Sequence, residues 1–239
     1  MKRNIILLLS LLLSVSGKTQ VPQLEDFLHL YMPDPDGFLT GFVPQGFVKI
    51  DHIQALNVIN AFFIENLGGE PNPGYTTPNV NHYQRGNIVM SCGVFNDSIK
   101  WHIQQDILLQ EPEGPPGDPM QPVVVKPAKR YKNPYHRFDG VYMVEAYLLD
   151  AFELLDLEGK LWPGFASETR TNNTLEVAYA YPTTTVGPMW MYPVLLAFDK
   201  DYRYQIEVRI FAVKAHRQEA VDVLKWIAEH MEISENVPI

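Results

Sequence analysis

The chain has 239 residues and a mass of 27.3 kDa, with 28 acidic against 19 basic side chains, a formal charge of −9 and 46% hydrophobic residues. That balance, with 12 Phe, 12 Tyr and 4 Trp, is enough for a buried core and excludes a disordered tail, a coiled coil or a collagen-like fibre. A pI of about 5.2 also argues against nucleic acid as a general partner, because phosphate binding requires a clustered positive field.

The first residues have the pattern of a secretory signal. Lys2 and Arg3 form a short basic region, and an apolar run from Ile5 to Leu13 follows, broken only by Ser10. Ser14, Ser16 and Gly17 then place cleavage before Gly17 or Lys18, with a cut before Gln20 as a further option. Nine residues span only about 14 Å as a helix, against a hydrocarbon core of about 30 Å, so the run is too short for a membrane anchor. No later stretch approaches the roughly 18 apolar residues of a spanning helix. The expectation is residues 1–19 as signal and residues 20–239 as one exported α+β domain without a stable membrane anchor, periplasmic or extracellular.

Removing residues 1–19 takes away Lys2, Arg3 and Lys18 but no acid, which moves the formal charge from −9 to −12. Cys92 is the single cysteine, so no internal disulfide can form and stability must come from the core. A bacterial envelope suits this pattern. In eukaryotic secretion, Asn96-Asp97-Ser98 and Asn172-Asn173-Thr174 would become glycosylation acceptors.

In chain order, the first helix is predicted over 52–67, where Leu56, Ile59, Phe63 and Leu67 recur at spacings of three and four. Asp51 with Gln54 forms its start signal and Gly68-Gly69 its stop. A loop rich in Pro, Asn and Gly covers 70–84. Two β-like runs follow, 87–95 and 99–109, joined as a hairpin through Asn96-Asp97-Ser98. Seven of the chain's 19 prolines fall within 111–137, which predicts an extended connection, since proline lacks an amide donor and fixes φ.

A second amphipathic helix is expected from Val141, Val144, Leu148, Ala151 and Leu155, capped by Asp139 and ended by Gly159. Strands are expected at 175–181, 191–198 and 202–213, the last two joined by Asp199-Lys200-Asp201. In the last strand Tyr202, Tyr204, Ile206, Val208 and Ile210 alternate with polar residues, the pattern of a half-buried antiparallel strand. A closing helix over 217–231 places Ala220, Val223, Leu224, Ile227 and Met231 on one face. The order implies an α+β fold, an antiparallel sheet with about three helices packed on one face. Helix-plus-strands occurs twice, giving lobes 20–110 and 138–239 joined by the linker 111–137, although no shared motif establishes a repeat.

Motifs for chemistry are sparse. The sequence has no glycine-rich phosphate loop, H-E-x-x-H, C-x-x-C or G-x-S-x-G, and it implies no cofactor and no metal. Cys92 is a nucleophile candidate if His82 or His102 reaches it, and otherwise a small buried hydrophobe. His102 and Asp106 share one face of a strand pattern, which suits a proton-transfer pair or a solvated polar face. Asp34-Pro35-Asp36-Gly37 resembles the start of a calcium loop but lacks the final carboxylate, so a turn is expected. Glu145, Glu153 and Asp156 with Trp101, Trp162 and Trp190 could furnish a sugar-cleaving pair, or simply the wet face of a helix.

The strongest compositional feature is basic. Lys126, Lys129, Arg130, Lys132 and Arg137 put five cations and no acid into 12 residues, so the rest of the mature chain carries −17. Tyr131, Tyr135 and His136 are interleaved, and such a segment suits an anionic protein or glycan, or else neutralises the chain's own acidic helices. Two function classes follow. One is a non-catalytic exported binding or envelope-assembly module that uses Lys126, Lys129, Arg130, Tyr131, Lys132, Tyr135 and Arg137. The alternative is an exported hydrolase with a convergent site drawn from His82, Cys92, His102 or Asp106.

Overall fold

A computed structural model describes residues 33–67, 80–96, 107–109, 129–131, 138–184 and 192–235. In chain order these form α1 (Pro35–Phe38), β1 (Leu39–Thr40), β2 (Val48–Ile50), α2 (His52–Leu67), β3 (Asn81–Arg85), β4 (Ile88–Asn96), β5 (Ile107–Leu109) and β6 (Lys129–Tyr131). There follow α3 (Val141–Ala151), β7 (Phe165–Thr171), β8 (Leu175–Pro182), β9 (Val194–Asp199), β10 (Tyr204–Ala212), α4 (Arg217–His230) and β11 (Glu232–Ile233). Seven strands make one antiparallel sheet in the order β2-β3-β4-β10-β9-β8-β7. The fold is α+β, an antiparallel sheet with three long helices packed on it, as the patterning predicts. No described helix is long and apolar enough to cross a membrane.

The helices lie on both faces of the sheet rather than on one, which corrects the expectation. On one face α4 buries Ala220, Val223, Leu224 and Ile227 against Cys92, Val94, Val208 and Ile210. On the other, α2 and α3 bury Ile59, Phe62, Val144 and Leu148 against Val89, Leu196, Phe198 and Phe211. The strand β9 between β8 and β10 is therefore buried along its whole length. β10 is not half-exposed either: Gln205 is buried, and the Arg209 guanidinium lies over the Phe152 and Tyr192 rings while pairing with Glu207.

Local signals account for most boundaries. Asp51 Oδ1 accepts the Gln54 amide at 2.8 Å while Gln54 Oε1 accepts the Asp51 amide at 3.4 Å, the reciprocal box that opens α2. Its buried stripe runs through Ala55, Ile59, Phe62, Phe63 and Asn66, which includes the expected Ile59 and Phe63 but takes Ala55 in place of Leu56. Asp199 Oδ1 accepts the Arg203 and Tyr204 amides at 2.6 and 2.7 Å, which closes the β9–β10 turn at the predicted place. Gly41 takes φ +64°, and a Cβ there would lie 2.1 Å from the His230 carbonyl oxygen, so only glycine fits between β1 and the end of α4.

Other signals misled. β4 pairs with β3, a strand inside the span read as a loop, through a two-residue turn begun by Gly86 at φ +57°. Of the span 99–109 expected to pair with it, Ile107–Leu109 pairs with Lys129–Tyr131 instead, and 97–106 lie outside the described residues. Asp139 does not cap α3. Gly140 holds that position at φ +52°, without a side-chain cap, and α3 ends at Ala151 rather than Gly159.

Candidate functional site

The sheet register decides the thiol question. Asn81 lies opposite Cys92 and His82 opposite Ser91, so His82 and Cys92 project to opposite faces. Cys92 sits in the α4-side core with no exposed surface, and burial, reinforced by the Asp36 and Glu207 charges, pushes its thiol far above the ordinary range. A thiol that stays protonated and unreachable is no nucleophile. In the folded protein Cys92 is expected to resist a thiol reagent that labels the denatured chain fully. Comparable labelling rates with and without denaturant would refute this burial.

His82 instead joins a buried polar chain beneath α2. Its Nδ1 lies 2.8 Å from Ser91 Oγ and its Nε2 lies 3.0 Å from His52 Nδ1, in the first turn of α2. His82 is 3% exposed and Ser91 7%, so the hydroxyl that a serine–histidine pair would present to substrate is covered. Burial, then the neighbouring His52, pulls the His82 pKa down to about 4. The chain therefore ties α2 to the β3–β4 hairpin and holds neutral imidazole, which is a structural role. His102 and Asp106 lie outside the described residues.

Four of the carboxylates considered for calcium or sugar chemistry, Asp34, Asp36, Glu145 and Asp156, are likewise engaged. Asp34 and Asp36 sit at the start of α1, where Asp34 Oδ1 accepts the Asn81 side-chain amide. Asp36 accepts Lys49 Nζ at 2.6 Å and the Tyr83 hydroxyl; burial opposes these bonds, yet they hold its carboxyl below the usual range. Glu145 accepts the Ser167 hydroxyl at 2.6 Å, and Asp156 accepts the Glu158 and Lys160 amides in a tight turn. Asn172 spends its side-chain nitrogen on the Met231 carbonyl at 2.9 Å.

Of the basic stretch, Lys129, Arg130 and Tyr131 form β6, in register with Leu109, Leu108 and Ile107 respectively. The β5–β6 ribbon is a separate two-stranded sheet. Lys126, Lys132, Tyr135 and Arg137 lie outside the described residues.

A surface cleft that sequence reasoning missed opens between β3, the turn after Phe42, and α4, with a volume of about 360 Å³. Arg85 forms one wall. Its guanidinium lies 4.7 Å over the Phe47 ring, donates to the Gln45 carbonyl at 3.1 Å and pairs with Glu219 at 2.9 Å. The His216 hydrogen bond to Glu219, with Arg85 beside it, holds that carboxyl below its ordinary range. Asp222, Val223 and Trp226 complete the α4 side. These residues are up to 181 positions apart (Gln45 to Trp226), and no local pattern joins them.

No protein-family model matches the sequence, and no curated protein matches it. Among solved structures the chain is similar to the solution structure of cyanobacterial PsbP (CyanoP) from Synechocystis sp. PCC 6803, at 10% identity over 85% of this chain and 91% of that one. The TM-score is 0.34, too low for that likeness to bear on function, which rests on this chain's own residues.

Proposed function

We propose that the protein is a non-catalytic exported binding or envelope-assembly module that grips an anionic protein or glycan through residues 126–137. The observation that carries this reading is the charge of that stretch: five cations and no acid in a chain that is otherwise strongly acidic. The strand pairing of Lys129–Tyr131 with Ile107–Leu109, in a sheet of its own, supports it by setting Lys129 and Arg130 on an extended backbone. The structural engagement of Cys92, His82 and Ser91 weakens the hydrolase alternative.

The test titrates residues 20–239 with poly-glutamate and with dextran sulfate, comparing the native sequence with Lys129→Glu/Arg130→Glu/Lys132→Glu. Native protein binds at least one polymer, more weakly as salt rises. The variant loses more than about tenfold, since each cation at an anionic surface is worth about 1 kcal/mol. Equal affinities for the two proteins would remove the basic stretch as the contact.

A further inference from the structure

We propose that the cleft beside α4 binds the ammonium group of a lysine side chain presented by a partner polypeptide, with Asp222 as counter-ion and Trp226 as aromatic wall. Asp222 and Trp226 are four residues apart on α4 and therefore stand on the same side of the helix, where both line the cleft. Trp226 is held ready: the His230 ring stacks on it with centroids 4.3 Å apart and planes 13° apart, and His230 Nδ1 donates to the Trp226 carbonyl at 2.8 Å. A cation beside an indole face gains from the ring quadrupole, and a carboxylate one turn away supplies the compensating charge.

The cations already at or near this surface have partners of their own, Arg85 doing so within the cleft wall itself. Arg85 pairs with Glu219, and Lys225 reaches Glu168 at 3.2 Å and lies 4.3 Å over the Tyr181 ring. Asp222 is exposed and accepts the Gln218 side-chain amide on Oδ1 at 3.0 Å, with no ion pair among the described residues. One committed oxygen suits a point donor better than the two-pronged guanidinium, which favours lysine over arginine. Val223 gives an apolar floor for the methylene stem. The volume is at the small end of ligand pockets, which run from about 300 to 1,000 Å³, and matches a single long side chain rather than a large cofactor.

The probe is Nα-acetyl-lysine methylamide, with its Nε-acetylated form as the neutral control, titrated into isotope-labelled protein while the Trp226 indole N–H resonance is followed. A Trp226→Phe variant assigns that resonance. The charged probe shifts it saturably, the neutral probe leaves it in place, and Asp222→Asn weakens binding about three- to fivefold, the worth of an exposed ion pair. Asp222 is on the surface, so the variant keeps the native unfolding midpoint, measured in parallel. No shift, equal shifts from both probes, or an unchanged titration in Asp222→Asn would overturn the proposal. The charge-reversed basic stretch leaves this titration unaltered, so failure here and failure of the polyanion reading are separate results.

Discussion

Stability against unfolding is expected to fall as pH drops from about 6.5 to about 4, with His82 alone contributing about 3 kcal/mol of that loss. The imidazole is buried under α2, and its Nε2 faces His52 Nδ1 at 3.0 Å. A hydrogen bond between two ring nitrogens needs one donor and one acceptor, and a proton on both would set two N–H donors against each other. The other ring nitrogen faces Ser91 Oγ, which carries no compensating charge. Folded His82 therefore titrates near 4, while in the unfolded chain it titrates near 6.5.

Between those values the unfolded chain holds a proton that the folded chain does not, so acid favours unfolding. Above the upper value the contribution is fully present, and below the lower one it is gone. Denaturant unfolding at several pH values, native against His82→Gln, isolates the effect, because glutamine can hydrogen-bond but does not titrate. The carboxyls held below their ordinary range, Glu168, Glu219 and Asp36, lose their stabilising contribution at lower pH in both proteins and cancel in the difference. The native curve should be steeper by about 3 kcal/mol across the window. Parallel curves would show that His82 is not held neutral by burial.

Truncating Phe62 should cost about 3–5 kcal/mol, the range for a fully buried aromatic. Phe62 has no exposed surface and packs edge-on against Phe63, Tyr192 and Phe211 at centroid distances of 5.3, 6.0 and 5.5 Å. It thereby fastens α2 to β10 at the centre of the sheet. Its carbonyl also accepts the buried Asn66 side-chain amide at 2.9 Å, and Asn66 Oδ1 in turn accepts Arg217 Nε at 3.0 Å, so α2 and α4 meet through the same turn. Ile64, two residues on, is 54% exposed, and Ile64→Ala should stay within about 0.5 kcal/mol. Midpoints from denaturant titration decide the matter. If Phe62→Ala and Ile64→Ala cost the same, α2 is not seated as described.

The long periodic segments were legible because burial there is apolar and local. The stripes of α2 and α4, the apolar run of β8 and the alternation in β10 announce themselves. β3 was not legible: Asn-His-Tyr-Gln-Arg lacks alternating hydrophobics, and its inward groups are held by hydrogen bonds, His82 to His52 and Ser91, Tyr83 to Asp36. β7 hid for a related reason, as a mostly polar strand at the edge of the sheet, paired among the described residues with β8 alone. The second helical layer was hidden by Glu207 and Arg209, whose charges suggest solvent but neutralise each other beneath Phe152 and Tyr192. The basic stretch is a run in sequence and could be read directly. The cleft assembles Arg85 with Asp222 and Trp226 through the sheet, and only tertiary structure brings them together.

The most direct test of the binding reading uses folded residues 20–239 as bait in an extract of the native envelope, beside Lys129→Glu/Arg130→Glu/Lys132→Glu at matched unfolding midpoint. The account predicts an anionic protein or glycan retained by the native bait, released by salt, and absent from the variant. Retention of the same components by both baits would contradict it.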